Sequence, residues 1–388
     1  MLTRIRIHNF KALKKVDLKL RERNVFIGPN KSGKSSILQV LNSLTQFVIA
    51  GDVGRVCYGQ LGFQQLLWKG ISDGSMKFEI WGDDRPVVPP TKQPSTFYYS
   101  IEIGLDALRN VAVLEENLHV EQSGTAVALI EAKLGRGTAR RSDGEIVFAD
   151  PESSIKPFLS YEIPGWEAEQ LRRYVQGWQF FRFVPELSRV VAAQASARPF
   201  LDPAGEQLSA WLHTFNANYP EAFNRIVSVA KEAFPEIESL STPVTQAGTT
   251  FLSMKEHGLR SPISVFHASD GEIKFLQLLS IIFSPFPVSL VAIEEPETHL
   301  HPRLLELLVE TADRVRIENE GMGAQVFATT HSPYLIDKLS PEDVVVVEKV
   351  EGATRCTRAE DQADLKRLLE ESELSFGRLW YSGALGGI

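Results

Sequence analysis

The sequence predicts an α/β protein in which a mostly parallel core sheet is assembled from the two ends of the chain, with an antiparallel β subdomain and a helical insert between them. Three observations predict this. A short strand, a glycine-rich loop and a helix follow one another from Asn24 to Val48. Residues 76–150 break into short β-rich segments separated by Pro-rich and Gly-rich turns. After Ser261, apolar strands again alternate with helices.

Taken in order, Arg4–Asn9 and Asp17–Leu20 alternate apolar and polar residues as half-buried strands do, and Asn24–Ile27 is a short strand ending at a glycine. Ile37, Leu41, Leu44 and Val48 then recur at helical spacing. MKFEIW, FYYSIEIGL and AVALIEAKL read as strands, and PVVPPTKQP and GRGTARRSDG as the turns between such strands. From 151 to 258 helices dominate, with Trp166–Phe180, Glu206–Asn216 and Pro220–Phe234 the clearest; all are too short for coiled-coil heptads. A helix from about Gly271, a buried strand VSLVAI, a helix from about Pro302, and strands AQVFATT and VVVVEKV complete the pattern. The expected division is therefore 1–75 with 259–388 as one split domain, 76–150 as the β insert and 151–258 as the helical insert.

Composition narrows the function classes. A 388-residue chain with 43% hydrophobic and 23% charged residues can bury a sizeable core. Its formal net charge of −8 provides no overall basic field, so contact with nucleic acid would need a local patch; the first 23 residues lean basic from Arg4 to Arg23, which a solvated strand face equally explains. Cys57 and Cys356 stand alone, without the spacing of a disulfide framework or a zinc site, which fits the cytoplasm. No leader peptide and no membrane span is expected, because the most apolar window, Phe275–Leu290, is interrupted by Ser284, Pro285 and Pro287.

The most specific motif is GPNKSGKS, Gly28–Ser35, which matches G-x-x-x-x-G-K-[ST]. A chance match in a chain of this length has a probability of roughly 0.01, and the strand-before, helix-after setting lowers it further. The spacing follows from phosphate chemistry. Gly28 and Gly33 let the backbone of Pro29, Asn30, Lys31 and Ser32 wrap an anion, and the helix N-terminus adds partial positive charge. Lys34 is placed to reach the β- and γ-phosphates of ATP, Ser35 to put a hydroxyl on Mg²⁺, and Ser36 to donate on the α-phosphate side.

Downstream, VSLVAIEEPE puts Glu294 and Glu295 at the end of an apolar strand. Because successive strand residues point to opposite sides, Glu294 is assigned to the Mg²⁺ shell and Glu295 to the attacking water. Glu297, His299 and His301 in PETHLHP fit loop and dimer-contact roles better than a metal centre, since the histidines flank a turn ending in Pro302. SDGE, Ser269–Glu272, can be a capping box and nothing more; a Ser and a Gly at a helix N-terminus can equally face the γ-phosphate held by a second subunit. His331 in ATTHSP ends the next strand, where an imidazole can distinguish ATP from ADP. Gln60, Gln64 and Gln65 are the candidates for a glutamine that contacts the nucleotide, with Gln64 or Gln65 preferred.

The order P-loop, long insert, SDGE helix, IEEPETHLHP, TTHSP resembles the ABC-type ATPase heads of the RecF, SMC and especially the OLD (overcoming lysogenization defect) families. IRIHNFKALKKVDLKL followed by NVFIGPNKSGKSSIL resembles the opening of the same heads. The likeness covers roughly residues 1–80 and 260–350. It implies an ATP-dependent homodimer, or a multiple of dimers, in which Ser269 and Gly271 complete the partner's site while Lys34, Ser35, Glu294, Glu295 and His331 serve their own. Two departures matter. No coiled coil separates the P-loop from SDGE, and fewer than 60 residues follow His331, too few for the Toprim nuclease that OLD proteins carry; D-Q-A-D at 361–364 sits in a helical-looking stretch. The resemblance thus implies a switch ATPase that is not itself a nuclease and controls a separately encoded effector, such as a Toprim-type nuclease or a toxin, in anti-phage defence. The competing expectation is a RecF-like repair ATPase that binds duplex DNA.

Overall fold

The computed structural model describes residues 1–60, 62–71, 73–83, 95–122, 125–149, 153–190, 193–194, 200–319, 323–362 and 374–383. The Pro-rich stretch 86–94 and the end of D-Q-A-D lie outside them.

The core sheet runs in the order Trp178–Phe181, Leu290–Glu294, Gln325–Thr330, Arg23–Ile27, Val344–Val350, Ala353–Arg358. Every pairing is parallel except the last, an antiparallel hairpin. The register aligns the strand ends: Phe181 pairs with Ile293, Glu294 with Thr329, and Thr330 with Ile27. Arg182, Glu295, His331 and Gly28 therefore all leave the sheet at one edge, the carboxyl edge where parallel sheets place ligands.

The first of these strands departs from the sequence expectation of a helix over Trp166–Phe180. The helix is Ala168–Gln176, Gly177 caps it, and WQFF continues as a strand. Aromatic side chains favour a pleated surface, and Trp178 and Phe181 are both buried. The stretch read as a turn at 135–144 likewise contains a strand, Arg136–Arg140, paired with Thr125–Lys133.

The second sheet is antiparallel, in the order Leu13–Lys19, Leu2–Phe10, Met76–Asp83, Ser95–Leu105, Val111–Gln122, Thr125–Lys133, Arg136–Arg140, Ile146–Ala149. The N-terminal hairpin thus joins the strands of the β insert. The 17-residue helix that follows the P-loop, Lys34–Ala50, lies between the two sheets. Its Ile37, Leu41, Leu44, Phe47 and Val48 share one core with Ile5, Ile7, Phe78, Ile80 and Ile101 of the antiparallel sheet and with Phe26, Leu290 and Phe327 of the core sheet. Each such side chain contributes about 1.5–3 kcal/mol when fully buried. A second core joins Ile273, Phe275, Leu276 and Leu279 of the helix Asp270–Ile282 to Trp211, Phe215 and Ile226 of the helices Leu208–Asn218 and Pro220–Ala233.

Among the described residues the antiparallel sheet buries two carboxyl groups, Glu79 and Glu116. Glu116 is fully buried and accepts hydrogen bonds from the backbone N–H groups of Phe158 and Leu159, at 2.6 and 3.0 Å, and from the Tyr99 hydroxyl at 3.1 Å. It thereby ties the turn Phe158–Ser160, which lies against the P-loop helix, to the sheet. Among the described residues no helix is long and apolar enough to cross a membrane.

Candidate nucleotide site

Gly28 and Gly33 adopt φ values of 150° and 112°. The neighbouring strands show why no side chain is admitted. A Cβ on Gly28 would lie 2.0 Å from the Val347 carbonyl oxygen, and one on Gly33 would lie 2.2 Å from Thr354 Oγ1. Thr354 also donates its hydroxyl to the Ser32 carbonyl at 2.6 Å. The hairpin Val344–Arg358 is therefore the bed on which the loop rests, a contact between residues more than 300 positions apart.

Lys34 begins the helix and is 7% exposed. Its Nζ donates to the carbonyls of Gly28 and Pro29, at 2.8 and 2.9 Å, so the ammonium closes the loop on itself. Burial lowers its pKa to about 8, opposed by the charges of Glu295 and Glu297. The helix N-terminus leaves its first N–H groups without intrahelical acceptors and carries partial positive charge, which suits an anion.

Glu294 is the last residue of its strand, and the Ser35 side chain is one of the groups that act on its carboxyl. Burial raises its pKa, as does neighbouring Glu295, while Arg182, Ser35 and Lys11 lower it. A carboxylate and a hydroxyl brought together in a partly desolvated place are the hard oxygen donors that Mg²⁺ prefers. The two residues expected to hold the metal fit it.

Glu295 does not continue the strand. It takes a left-handed conformation, φ 46°, with its N–H bonded to the Thr329 carbonyl at 3.0 Å and within reach of Thr329 Oγ1. The different directions of Glu294 and Glu295 are thus set by a turn rather than by strand alternation. The Glu295 side chain is exposed at the carboxyl edge, with its charge felt by both Lys34 and His331. His331 is half-buried, and burial together with Lys34 lowers its pKa.

Three further residues belong to this cluster. Glu297 accepts the His331 N–H at 2.7 Å; burial raises its pKa, and its Oε2 is buried without a partner. Lys274, on the helix that starts at SDGE, brings its Nζ 3.4 Å from the Glu295 carbonyl. Arg182 approaches Glu294 to 3.9 Å from the end of the adjacent strand. Glu297 lies in PETHLHP, where the sequence predicts a loop or dimer-contact role, whereas no local motif marks Lys274 or Arg182, which enter through a helix face and a neighbouring strand end. A lysine at a core position of an apolar helix was the one available signal.

Ser269 and Gly271 do not join the cluster through any contact of their own. The Ser269 hydroxyl accepts the Glu272 N–H at 3.2 Å, and Glu272 reaches back to the Ser269 N–H at 2.7 Å, a complete capping box. Gly271 lies under the His299 carbonyl, which would be 3.1 Å from an added Cβ. His301 caps the helix Pro302–Glu318 by accepting the Arg303 N–H, and His299 faces Asp270, which Arg189 already pairs. Of the candidate glutamines, Gln60 pairs with Ser43 and the Gln65 amide oxygen accepts from Lys69, while Gln64 gives Lys69 only its backbone carbonyl.

This fold and loop define a P-loop ATPase of the ABC type with an SMC- and RecF-like head. Across residues 23–337 the chain matches the family described as "AAA domain, putative AbiEii toxin, Type IV TA system", and it belongs to that family. It is an ATPase of the AAA/SMC-like class. Solved structures share the architecture. An SMC head bound to the C-winged helix domain of ScpA aligns over 92% of this chain and 97% of its own, at 11% identity and TM-score 0.55. An SMC head with an extended coiled coil, bound to the C-terminal domain of ScpA derived from Pyrococcus furiosus, aligns over 95% and 98%, at 11% identity and TM-score 0.53. No curated protein matches the sequence.

Proposed function

We propose that this chain is the Mg²⁺-dependent ATPase subunit of a nucleotide-gated dimer whose state controls a separate effector. The observation that carries the reading is the gathering of Lys34, Ser35, Glu294, Glu295 and His331 at one carboxyl edge, while Ser269 and Gly271 stand at a capped helix N-terminus. In this reading residues 1–75 and 259–388 form the head, and 76–150 and 151–258 are its β and helical inserts.

The loop N–H groups from Gly28 to Ser36 and the Lys34 ammonium receive the phosphates. To do so Lys34 leaves the carbonyls of Gly28 and Pro29, exchanging two neutral acceptors for charged ones. Ser35 and Glu294 would hold Mg²⁺, which would supply positive charge to neutralise the phosphates. Glu295, outside the strand and exposed, takes the proton of the attacking water. His331, neutral at pH 7 because burial and Lys34 disfavour its charge, donates a hydrogen bond to the γ-phosphate. Ser269 and Gly271 present their helix N-terminus to the nucleotide of a second copy.

The family description names a putative toxin of a Type IV TA system, which supports a chain that works within a multi-component system. The test is to purify the chain alone and with its neighbouring gene product and to measure stoichiometry, ATP turnover and nucleic-acid cleavage. ATPase activity without cleavage in the isolated chain, and an effector activity that follows nucleotide state in the complex, are expected. Cleavage by the pure chain that is lost on mutating its own carboxylates would overturn the assignment.

A second reading, a RecF-like ATPase on duplex DNA, is favoured by one surface. On the outward face of the antiparallel sheet the Arg4 and Arg6 guanidinium groups lie 5.1 and 5.2 Å over the Trp81 ring, and Trp81, Tyr98 and His119 follow across the strands. Asp17 between the two arginines offsets part of that charge. This reading predicts ATP-dependent duplex binding that weakens steeply with salt, and stimulation of turnover by DNA.

A further inference from the structure

Lys274 is 1% exposed on the helix Asp270–Ile282, among Ile273, Phe275 and Leu278 of the second hydrophobic core. An ammonium withdrawn from water this completely costs several kcal/mol unless charge and hydrogen bonds compensate it, and an apolar side chain of the same length would fill the space without that cost. Its surroundings name the compensation. Nζ lies 3.4 Å from the Glu295 carbonyl and 5.3 Å from the centre of the Phe183 ring, and the carboxylates of Glu297 and Glu295 are the charges that act on it. Glu297 in turn has one buried oxygen without a partner and the other on the His331 N–H.

The turn that Lys274 meets is strained. A left-handed conformation at a residue other than glycine costs roughly 1–2 kcal/mol, and Glu295 adopts it. Its N–H is pinned by Thr329 on the neighbouring strand, and its carbonyl is met from the opposite side by Lys274.

We infer that Lys274 is the positioning residue of the acidic turn: its buried ammonium holds the Glu295 carbonyl and balances Glu295 and Glu297, so that the Glu295 carboxylate is aimed before nucleotide arrives. Because the same helix begins at Ser269 and Gly271, the surface offered to a second subunit and the catalytic turn are joined by one rigid element. This rests on the ATPase reading above, and the experiment separates the two.

Lys274→Met keeps length and volume and removes the charge. Expected is a kcat lowered by about tenfold to a hundredfold, with KM and ATP affinity within about twofold. Unfolding midpoints without nucleotide are measured for Lys274→Met, Glu297→Gln and the double variant. Lys274→Met leaves a buried carboxylate uncompensated and lowers Tm by several degrees; the double variant regains at least half of that loss. Unchanged kcat, an equal loss of ATP affinity, or simple addition of the two Tm losses would overturn the assignment. Should Lys274→Met fail to fold, a folded double variant supports the charge pair and an unfolded one refutes it. If the wild-type chain turns over no ATP, the ATPase reading falls, while the Tm cycle still decides whether Lys274 and the acidic turn are coupled.

Discussion

Two adjacent glutamates at the site differ in backbone before they differ in chemistry. Glu294 ends a strand beside Ser35 and is partly desolvated, whereas Glu295 turns out of the sheet in a left-handed conformation and stays exposed. The proposed function puts a cation at the first position and a water at the second. Glu295→Gln keeps the shape and the hydrogen-bonding reach but cannot accept a proton at neutral pH. Turnover is expected to fall about 10²–10⁴-fold while ATP binding persists, and size-exclusion chromatography with ATP should show an accumulated dimer. Wild-type turnover in that variant would remove Glu295 from the chemistry.

Among elements, the site depends on strands that stop together. Phe181, Glu294, Thr330 and Ile27 end at one edge because four parallel strands share one register, and the hairpin Val344–Arg358 supports the loop from beneath. The antiparallel sheet is fastened to the turn beside the P-loop helix through Glu116, whose pKa burial raises to about 7 from its ordinary 4.5, with two backbone N–H groups and Tyr99 opposing the shift. A carboxyl group with a raised folded-state pKa adds stability below its unfolded value and loses it as pH rises through the folded one. Wild-type protein should therefore lose stability between about pH 4.5 and 7, by on the order of 3 kcal/mol from this group. Glu116→Gln, neutral throughout, should flatten that part of the profile in thermal melts at pH 5, 6, 7 and 8. An unchanged slope would show that Glu116 does not set it.

For the whole molecule, the arrangement that matters is that Ser269, at a capped helix N-terminus, forms its side-chain hydrogen bonds with Glu272 and none with the chain's own phosphate loop. If sites form between two copies, each copy supplies Lys34 to one site and Ser269 to the other. Ser269→Glu places a negative charge where a γ-phosphate is to sit, and Lys34→Ala removes the phosphate-facing cation. Each homodimer should be inactive. A mixed dimer collects both defects in one site and leaves the other intact, so mixing should restore up to about half the wild-type activity per heterodimer by this geometry. Demonstrated heterodimers without activity would make Ser269 a helix cap and nothing more.

What the sequence determined by itself is what rests on near neighbours in the chain. The strand, loop and helix around Gly28–Ser35, the capping box at Ser269, the strands at the N-terminus and the apolar stripe of Ile37, Leu41, Leu44 and Val48 each follow from contacts within a few residues, and the structure contains them all. The tertiary structure alone decided which ends meet. Pairing of the N-terminal hairpin with Met76–Asp83, recruitment of Trp178–Phe181 into the core sheet, and the seating of Gly28 and Gly33 on Val347 and Thr354 are long-range contacts without a local signature. Lys274 was hidden for the same reason. A buried charge is legible only once its partner is known, and here the partners arrive from separate strands and helices, brought together by the burial of apolar faces on either side of the sheet.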